Sequence, residues 1–221
     1  MVSYAKQTYD SPNPIVRYAH RTRYKISLDL AKKLLPVSGK FIDFGAGNGA
    51  FLHRFSQIRP DADLTGIEPY MSIDYPDVRR VPDLGSVEPA SVDLVSAFEV
   101  LEHLGDDDLA RFFDNARRAL RPGGHLLVTV PIMYGLTLPI KEVSRSLLHR
   151  RFSDHSLMEI AKGTAGLQVA RAHDRRPSHK GFDFRDLEKQ ISEKFKIEIK
   201  NFSPFASLPW YLNSQAIYIA S

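Results

Sequence analysis

The sequence predicts an α/β protein built on a parallel sheet covered by helices on both faces. Three observations carry this expectation. Short apolar runs of strand length alternate with segments of helical period, and the first strand runs into a glycine-rich turn that opens a helix. The strands are also apolar nearly throughout, as strands buried on both faces must be. With 221 residues, 43% hydrophobic and 25% charged, the chain is expected to fold as one domain with a sizeable core.

The elements follow in order. Residues 22–35 place Tyr24, Leu28, Leu30, Ala31, Leu34 and Leu35 at helical spacing, and Pro36 stops the helix. Lys40–Phe44 reads as the first strand, and residues 50–58 as a helix burying Phe51, Leu52, Phe55 and Ile58 before Pro60. Asp63–Glu68, Asp77–Val81 and Val92–Phe98 read as the next three strands. Residues 106–120 form a helix whose acidic start and Arg117, Arg118 and Arg121 suit its macrodipole. Pro122-Gly-Gly124 is expected to end it, before a fifth strand at His125–Val130.

The regular rhythm stops at Pro131. Residues 132–181 read as an inserted basic lid with short helices near 139–150 and 155–164, a strand around Leu167–Ala170 being the alternative. A helix over Phe184–Phe195 and strands at Lys196–Phe202 and Gln215–Ala220 complete the chain. The expected organisation is a single domain: an N-terminal lid or helix (1–36), a core that seats the ligand (37–131), the basic lid (132–181), and a C-terminal helix with a strand hairpin (182–221).

Composition removes several chemistries. Without cysteine there is no disulfide scaffold, thiolate nucleophile or sulfur-ligated metal. No run of eighteen apolar residues occurs and the first ten residues lack the apolar block of a signal peptide, so a cytoplasmic protein is expected. The net charge of +4 hides an acidic centre, with eight basic and fifteen acidic residues over 41–131. Basic segments flank it, with eight against two over 1–40 and nine against four over 132–181. Such segments converging on one cleft favour an anionic substrate.

The turn Asp43-Phe-Gly-Ala-Gly-Asn-Gly49 lies between a strand and a helix, where glycines let the backbone approach a ligand. It is not the dinucleotide rhythm, which needs its third glycine where Ala50 stands. Glu68 ends the second strand, where a carboxylate can accept two ribose hydroxyls, and Asp83-Leu84 follows the third. Glu99, Glu102 and His103 stand at i, i+3 and i+4, which on a helical turn is one face. Two carboxylates and an imidazole suit a divalent cation such as Mg²⁺ or Mn²⁺.

The segments Phe41–Ala50, Thr65–Glu68, Ser91–Leu104 and Leu120–Val128 resemble, in order and spacing, the successive motifs of class I S-adenosylmethionine-dependent methyltransferases. The resemblance implies a Rossmann-like seven-stranded sheet with the last strand antiparallel and the cofactor across the ends of strands one to four. By position, Asp43, Gly45, Ala46, Gly47, Asn48 and Gly49 would surround the methionine part and Glu68 with Pro69 the ribose. Asp83 and Leu84 would meet the adenine, and Phe98 and Glu99 would line the methyl end, while Asp93 is read as structural.

The E-x-x-E-H at 99–103 resembles the metal motif of ubiquinone-biosynthesis and small-RNA 2′-O-methyltransferases. His179, in His179-Lys-Gly-Phe182, is similar to a further ligand of the RNA enzymes, so Glu99, Glu102, His103 and His179 form a candidate metal set. In a metal-free reading Glu99, His103 and His179 are the catalytic candidates, with a histidine as general base. Tyr18, His20 and Arg21 are expected to touch ligand.

The tail, residues 179–184 and 203–215, looks like methyltransferases of cell-envelope polysaccharide and glycolipid assembly. An anionic glycan or glycolipid hydroxyl is the expected acceptor, its phosphates meeting Lys141, Arg145, Arg150, Arg151, Arg175 and Arg176. The apolar runs 130–140 and 205–212 are candidates for a lipid chain or a peripheral membrane surface. A small-molecule or quinone acceptor is the alternative, as are a non-catalytic binding protein and RNA, for which no recognition module is present.

Overall fold

The computed structural model describes residues 14–149, 155–171 and 179–221, the side chains of 14–16, 19 and 144–149 excepted. Among these residues, β1 (Lys40–Phe44), β2 (Asp63–Ile67), β3 (Arg79–Val81), β4 (Val92–Phe98), β5 (Leu120–Pro131), β6 (Ile197–Ser203) and β7 (Gln215–Ala220) form one sheet. Its order is β3-β2-β1-β4-β5-β7-β6. Pairings from β3 to β5 are parallel, and β7 is antiparallel to both β5 and β6. The expected sheet, with its last strand reversed, is present.

The helices are α1 (Pro14–Leu34), α2 (Ala50–Ser56), α3 (Asp106–Ala119), α4 (Thr137–His149), α5 (Leu157–Thr164) and α6 (Phe184–Lys194). Leu28, Ala31 and Leu35 from the α1 end and Leu52 and Phe55 of α2 pack on one sheet face. Phe112, Phe113 and Ala116 of α3 and Leu187 and Ile191 of α6 pack on the other. Both faces of β4 are thereby buried, which is why its residues are buried without alternation from Val92 to Ala97.

Several boundaries differ from expectation. α1 is described from Pro14, eight residues before its expected start. The glycines at 123 and 124 do not separate α3 from β5; Leu120 already pairs with Val92, and the register shift between Val92 and Leu94 absorbs them as a bulge. Residues 77 and 78 lie outside β3. Residues 167–170 pair with no strand, in line with the favoured reading of this segment. There the Val169 amide instead donates to the Tyr134 hydroxyl at 3.3 Å.

Candidate active site

The turn from Asp43 to Gly49 leaves β1 at the C-terminal edge of the sheet. Gly45, at φ 79°, lies under Val100, and a Cβ there would fall 2.3 Å from a valine methyl. Gly47, at φ 57°, differs: nothing lies within 4 Å of where its Cβ would project. Packing and backbone conformation both demand the first glycine, whereas the second opens onto the cleft where a ligand can approach the main chain.

Glu68 fixes the other wall. Its buried carboxylate accepts from the amides of Gly47 at 3.0 Å and Tyr70 at 2.8 Å, so the end of β2 is tied to the turn. Pro69 is exposed beyond it. The Ile67 carbonyl accepts from Gly45 and Ala46, and Asn48 Oδ1 accepts from Ala50 N at 3.3 Å. Gly49 stands as the N-cap of α2. Asp83 Oδ1 accepts from Ser86 N at 2.8 Å, and the Leu84 side chain is buried in the core, so only backbone at 84 is left for a ligand.

Beneath the turn, Asp43 is buried and accepts from the Ser96 hydroxyl at 2.6 Å across the β1–β4 register. Burial pushes its carboxyl up to about 7; the Ser96 bond opposes the shift and the Glu68 charge adds to it. Asp93 accepts from Lys40 N at 2.7 Å and pairs with Arg121, a tie at the far end of the sheet.

At the end of β4, Phe98 packs on Phe51 with the rings tilted, 4.7 Å between centroids. Glu99 follows in the left-handed region at φ 57°, an unusual conformation for a non-glycine residue. Its carboxylate is held by Arg23 of α1 at 3.2 Å, by Gln215 Nε2 at 2.9 Å and by the Thr129 hydroxyl at 3.2 Å. Arg23 also meets His20 at 2.7 Å. Burial, then the charges of Arg23 and Lys141, push the His20 imidazole down to about 4. Tyr18 points outward at 55% exposure.

The left-handed turn at 99 alters the expected grouping. Leu101–His103 is a single 3₁₀ turn that starts after Glu99, so Glu99, Glu102 and His103 do not share the face of an α-helical turn. What does come together is Glu102, His103 and His179, each with a ligand atom within 4.8 Å of the others. The two Nε2 atoms lie 3.2 Å apart, and each is 3.9 Å from Glu102 Oε1. The Glu102 side chain is fully buried, and neither carboxylate oxygen has a hydrogen-bond partner. Burial, then the Glu99 charge, hold its carboxyl well above the usual carboxylate range.

With this geometry stands a family match. Residues 18–183 fit the model of the methyltransferase domain family. The chain belongs to that family. Its fold and recognition motifs are those of the class I S-adenosylmethionine-dependent methyltransferases. Among curated proteins, the ubiquinone biosynthesis O-methyltransferase of Xylella fastidiosa is 30% identical over 118 residues, 47% of either chain. That of Cupriavidus pinatubonensis is 27% identical over 103 residues, 41% of this chain and 40% of that protein. The chain thus spans about half the length of the curated relatives it matches.

Among solved structures, a Pyrococcus horikoshii protein superposes with a TM-score of 0.63 at 14% identity, covering 99% of this chain and 95% of that one. A TehB-like S-adenosylmethionine-dependent methyltransferase of Corynebacterium glutamicum gives 0.55 at 18% identity, covering 95% and 99%. At such identities these likenesses concern the fold.

In this methyltransferase, sequence reasoning passed over Arg23, Thr129 and Gln215, the three residues that hold Glu99. The available signal was weak: Arg23 stands three positions after His20 on what proves to be one helix, and Thr129 and Gln215 are isolated polar residues in apolar strands. The Lys141 ammonium, expected to meet phosphate, donates to the carbonyls of Ile132 and Ser214. Arg150, Arg151, Arg175, Arg176 and the Arg145 side chain lie outside the described residues. No helix among the described residues is long and apolar enough to cross a membrane.

Proposed function

We propose that this protein transfers the methyl group of S-adenosylmethionine to a hydroxyl of its acceptor, with a divalent cation held by Glu102, His103 and His179. The observation that supports it most is Glu102. A buried carboxylate whose oxygens meet no donor is costly, and two imidazole nitrogens beside it complete a donor set that a cation would satisfy. Two nitrogens and one carboxylate suit Mn²⁺ better than Mg²⁺, which prefers oxygen throughout. The cation would supply acidity, lowering the pKa of an acceptor hydroxyl.

The rest falls to the chain. The sulfonium is already an activated donor, so the protein's task is alignment and removal of one proton. The Gly47 opening and the Glu68 carboxylate would seat the donor, while Glu99, immobilised by its three partners, would line the methyl end. In a site without cation, the Nε2 of His103 or His179 is the atom that would take the acceptor's proton.

For the acceptor, we place a phenolic small molecule first. The ubiquinone O-methyltransferase relatives support it, and the inward turn of Lys141 removes one cation from the phosphate set. The anionic glycan or glycolipid reading rests on the basic composition of residues 132–181 and enters the screen as its second arm.

Calorimetry with Mn²⁺ and turnover on catechols and phosphorylated sugars form the test. Glu102→Gln is expected to weaken Mn²⁺ binding at least ~10-fold. His179→Ala is expected to lower turnover about 100-fold while donor binding persists. Full turnover in both variants would sink this reading.

A further inference from the structure

The three side chains of the candidate metal set come from two stretches of chain that share no element. Glu102 and His103 sit on the 3₁₀ turn after β4, whereas His179 opens a turn closed by the Phe182 amide, which donates to the His179 carbonyl at 3.1 Å. His103 and His179 stand 76 positions apart, yet their Nε2 atoms lie 3.2 Å from each other. Something must hold the two turns in register, because three donors take one cation only when all of them are oriented toward it.

One residue touches both turns. Arg171 is exposed on the segment that follows α5, and its Nη2 donates to the Glu102 carbonyl at 2.8 Å. The bonds of the 3₁₀ turn itself, from the His103 and Leu104 amides, run to the carbonyls of Val100 and Leu101, and Arg171 takes that of Glu102. The same guanidinium lies over the ring of the buried Phe182, 5.5 Å from its centroid. Gly181 packs on the Arg171 main chain: at φ 72°, a Cβ there would fall 2.5 Å from Arg171 Cα and 2.6 Å from Arg171 N. Arg171 thus meets the His179 turn twice, through its backbone and its guanidinium, and the His103 turn once.

Both neighbours of this contact are themselves anchored. The Val169 amide donates to the hydroxyl of the buried Tyr134 at 3.3 Å, and the Lys180 ammonium pairs with Glu159 of α5 at 2.9 Å. Leu101, Gly181, Phe182 and Arg171 are among the residues lining a cavity of about 220 Å³. Close packing therefore does not join the two turns at this point, and the guanidinium supplies the tie.

We infer that Arg171 is a positioning residue of the candidate site, holding the Glu102–His103 turn and the His179 turn at the spacing at which their side chains can share one divalent cation. The inference rests on the cation proposed above. It concerns shape rather than charge: a guanidinium is planar, donates in a fixed fork and stacks on a ring, and an ammonium of equal charge does none of these.

The test is calorimetric titration of the full chain with Mn²⁺, for wild type, Arg171→Ala and Arg171→Lys, with the electron paramagnetic resonance spectrum of the bound ion as second readout. Both variants are expected to bind Mn²⁺ about 10-fold more weakly, with an altered line shape and an unchanged melting temperature, residue 171 being exposed. Wild-type affinity in Arg171→Lys overturns the inference, because charge alone would then suffice. Wild-type affinity in Arg171→Ala does so too, as does a loss matched by a fall in melting temperature, which would make the role one of general stability. In each of these cases Mn²⁺ binding by wild type leaves the proposed cation standing. Wild type that binds no Mn²⁺ overturns the cation and this inference together.

Discussion

Asp43 shows how one residue can be held against its own solvation. It sits beneath the glycine-rich turn with a carboxyl pushed up to about 7, against 3.8 for the free group. Between those values the folded chain holds a proton that the unfolded chain releases. Its contribution to stability is therefore complete below about pH 4 and is lost as pH rises through about 7. Asn keeps an oxygen to accept the Ser96 hydroxyl and carries no charge. Asp43→Asn should raise Tm by roughly 5 °C at pH 8, where the wild-type carboxylate is charged, and far less at pH 5. Melts at the two pH values check it; an equal shift at both would remove burial of charge as the cause.

Among the elements, α1 is the one that brings a countercharge to Glu99. It packs on the sheet through Leu28, Ala31 and Leu35 and reaches the site through the Arg23–Glu99 pair, whose side chains are only 16% and 15% exposed. Arg23→Gln leaves a largely buried carboxylate short of its countercharge, and should cost on the order of 2 kcal/mol, read as a lower Tm that Arg23→Lys partly restores. An unchanged Tm would mean that Gln215 and Thr129 suffice. The sequence marked β4 and β7 to the residue because mostly apolar runs, broken in β4 only by Asp93 and Ser96, end at polar or charged neighbours. It misplaced the start of β5 because glycines that bulge a strand look the same in sequence as glycines that end one. The left-handed turn at Glu99, which sets it apart from the Glu102, His103 and His179 group, left no sequence signal, since glutamate has no preference for that conformation.

In the whole molecule, the sheet order brings the C-terminal ends of β1, β2 and β4 together, and with them the turn at 43–49, Glu68, and the segment from Phe98 to His103. Val100 ties these parts together by packing on Gly45, between Glu99 and the start of the 3₁₀ turn that carries Glu102 and His103. His179 arrives from the end of the segment 132–181, more than seventy positions away in the chain; a short histidine motif announced it, and only the fold shows that it meets His103. The reading to test first is that S-adenosylmethionine lies at this edge against the Gly47 turn and the Glu68 carboxylate. Calorimetric titration of wild type and Glu68→Ala with S-adenosylmethionine tests it most directly. Binding by wild type, weakened ~10-fold or more when the carboxylate is lost, is the expected result; absence of wild-type binding, or equal binding by the variant, would contradict it.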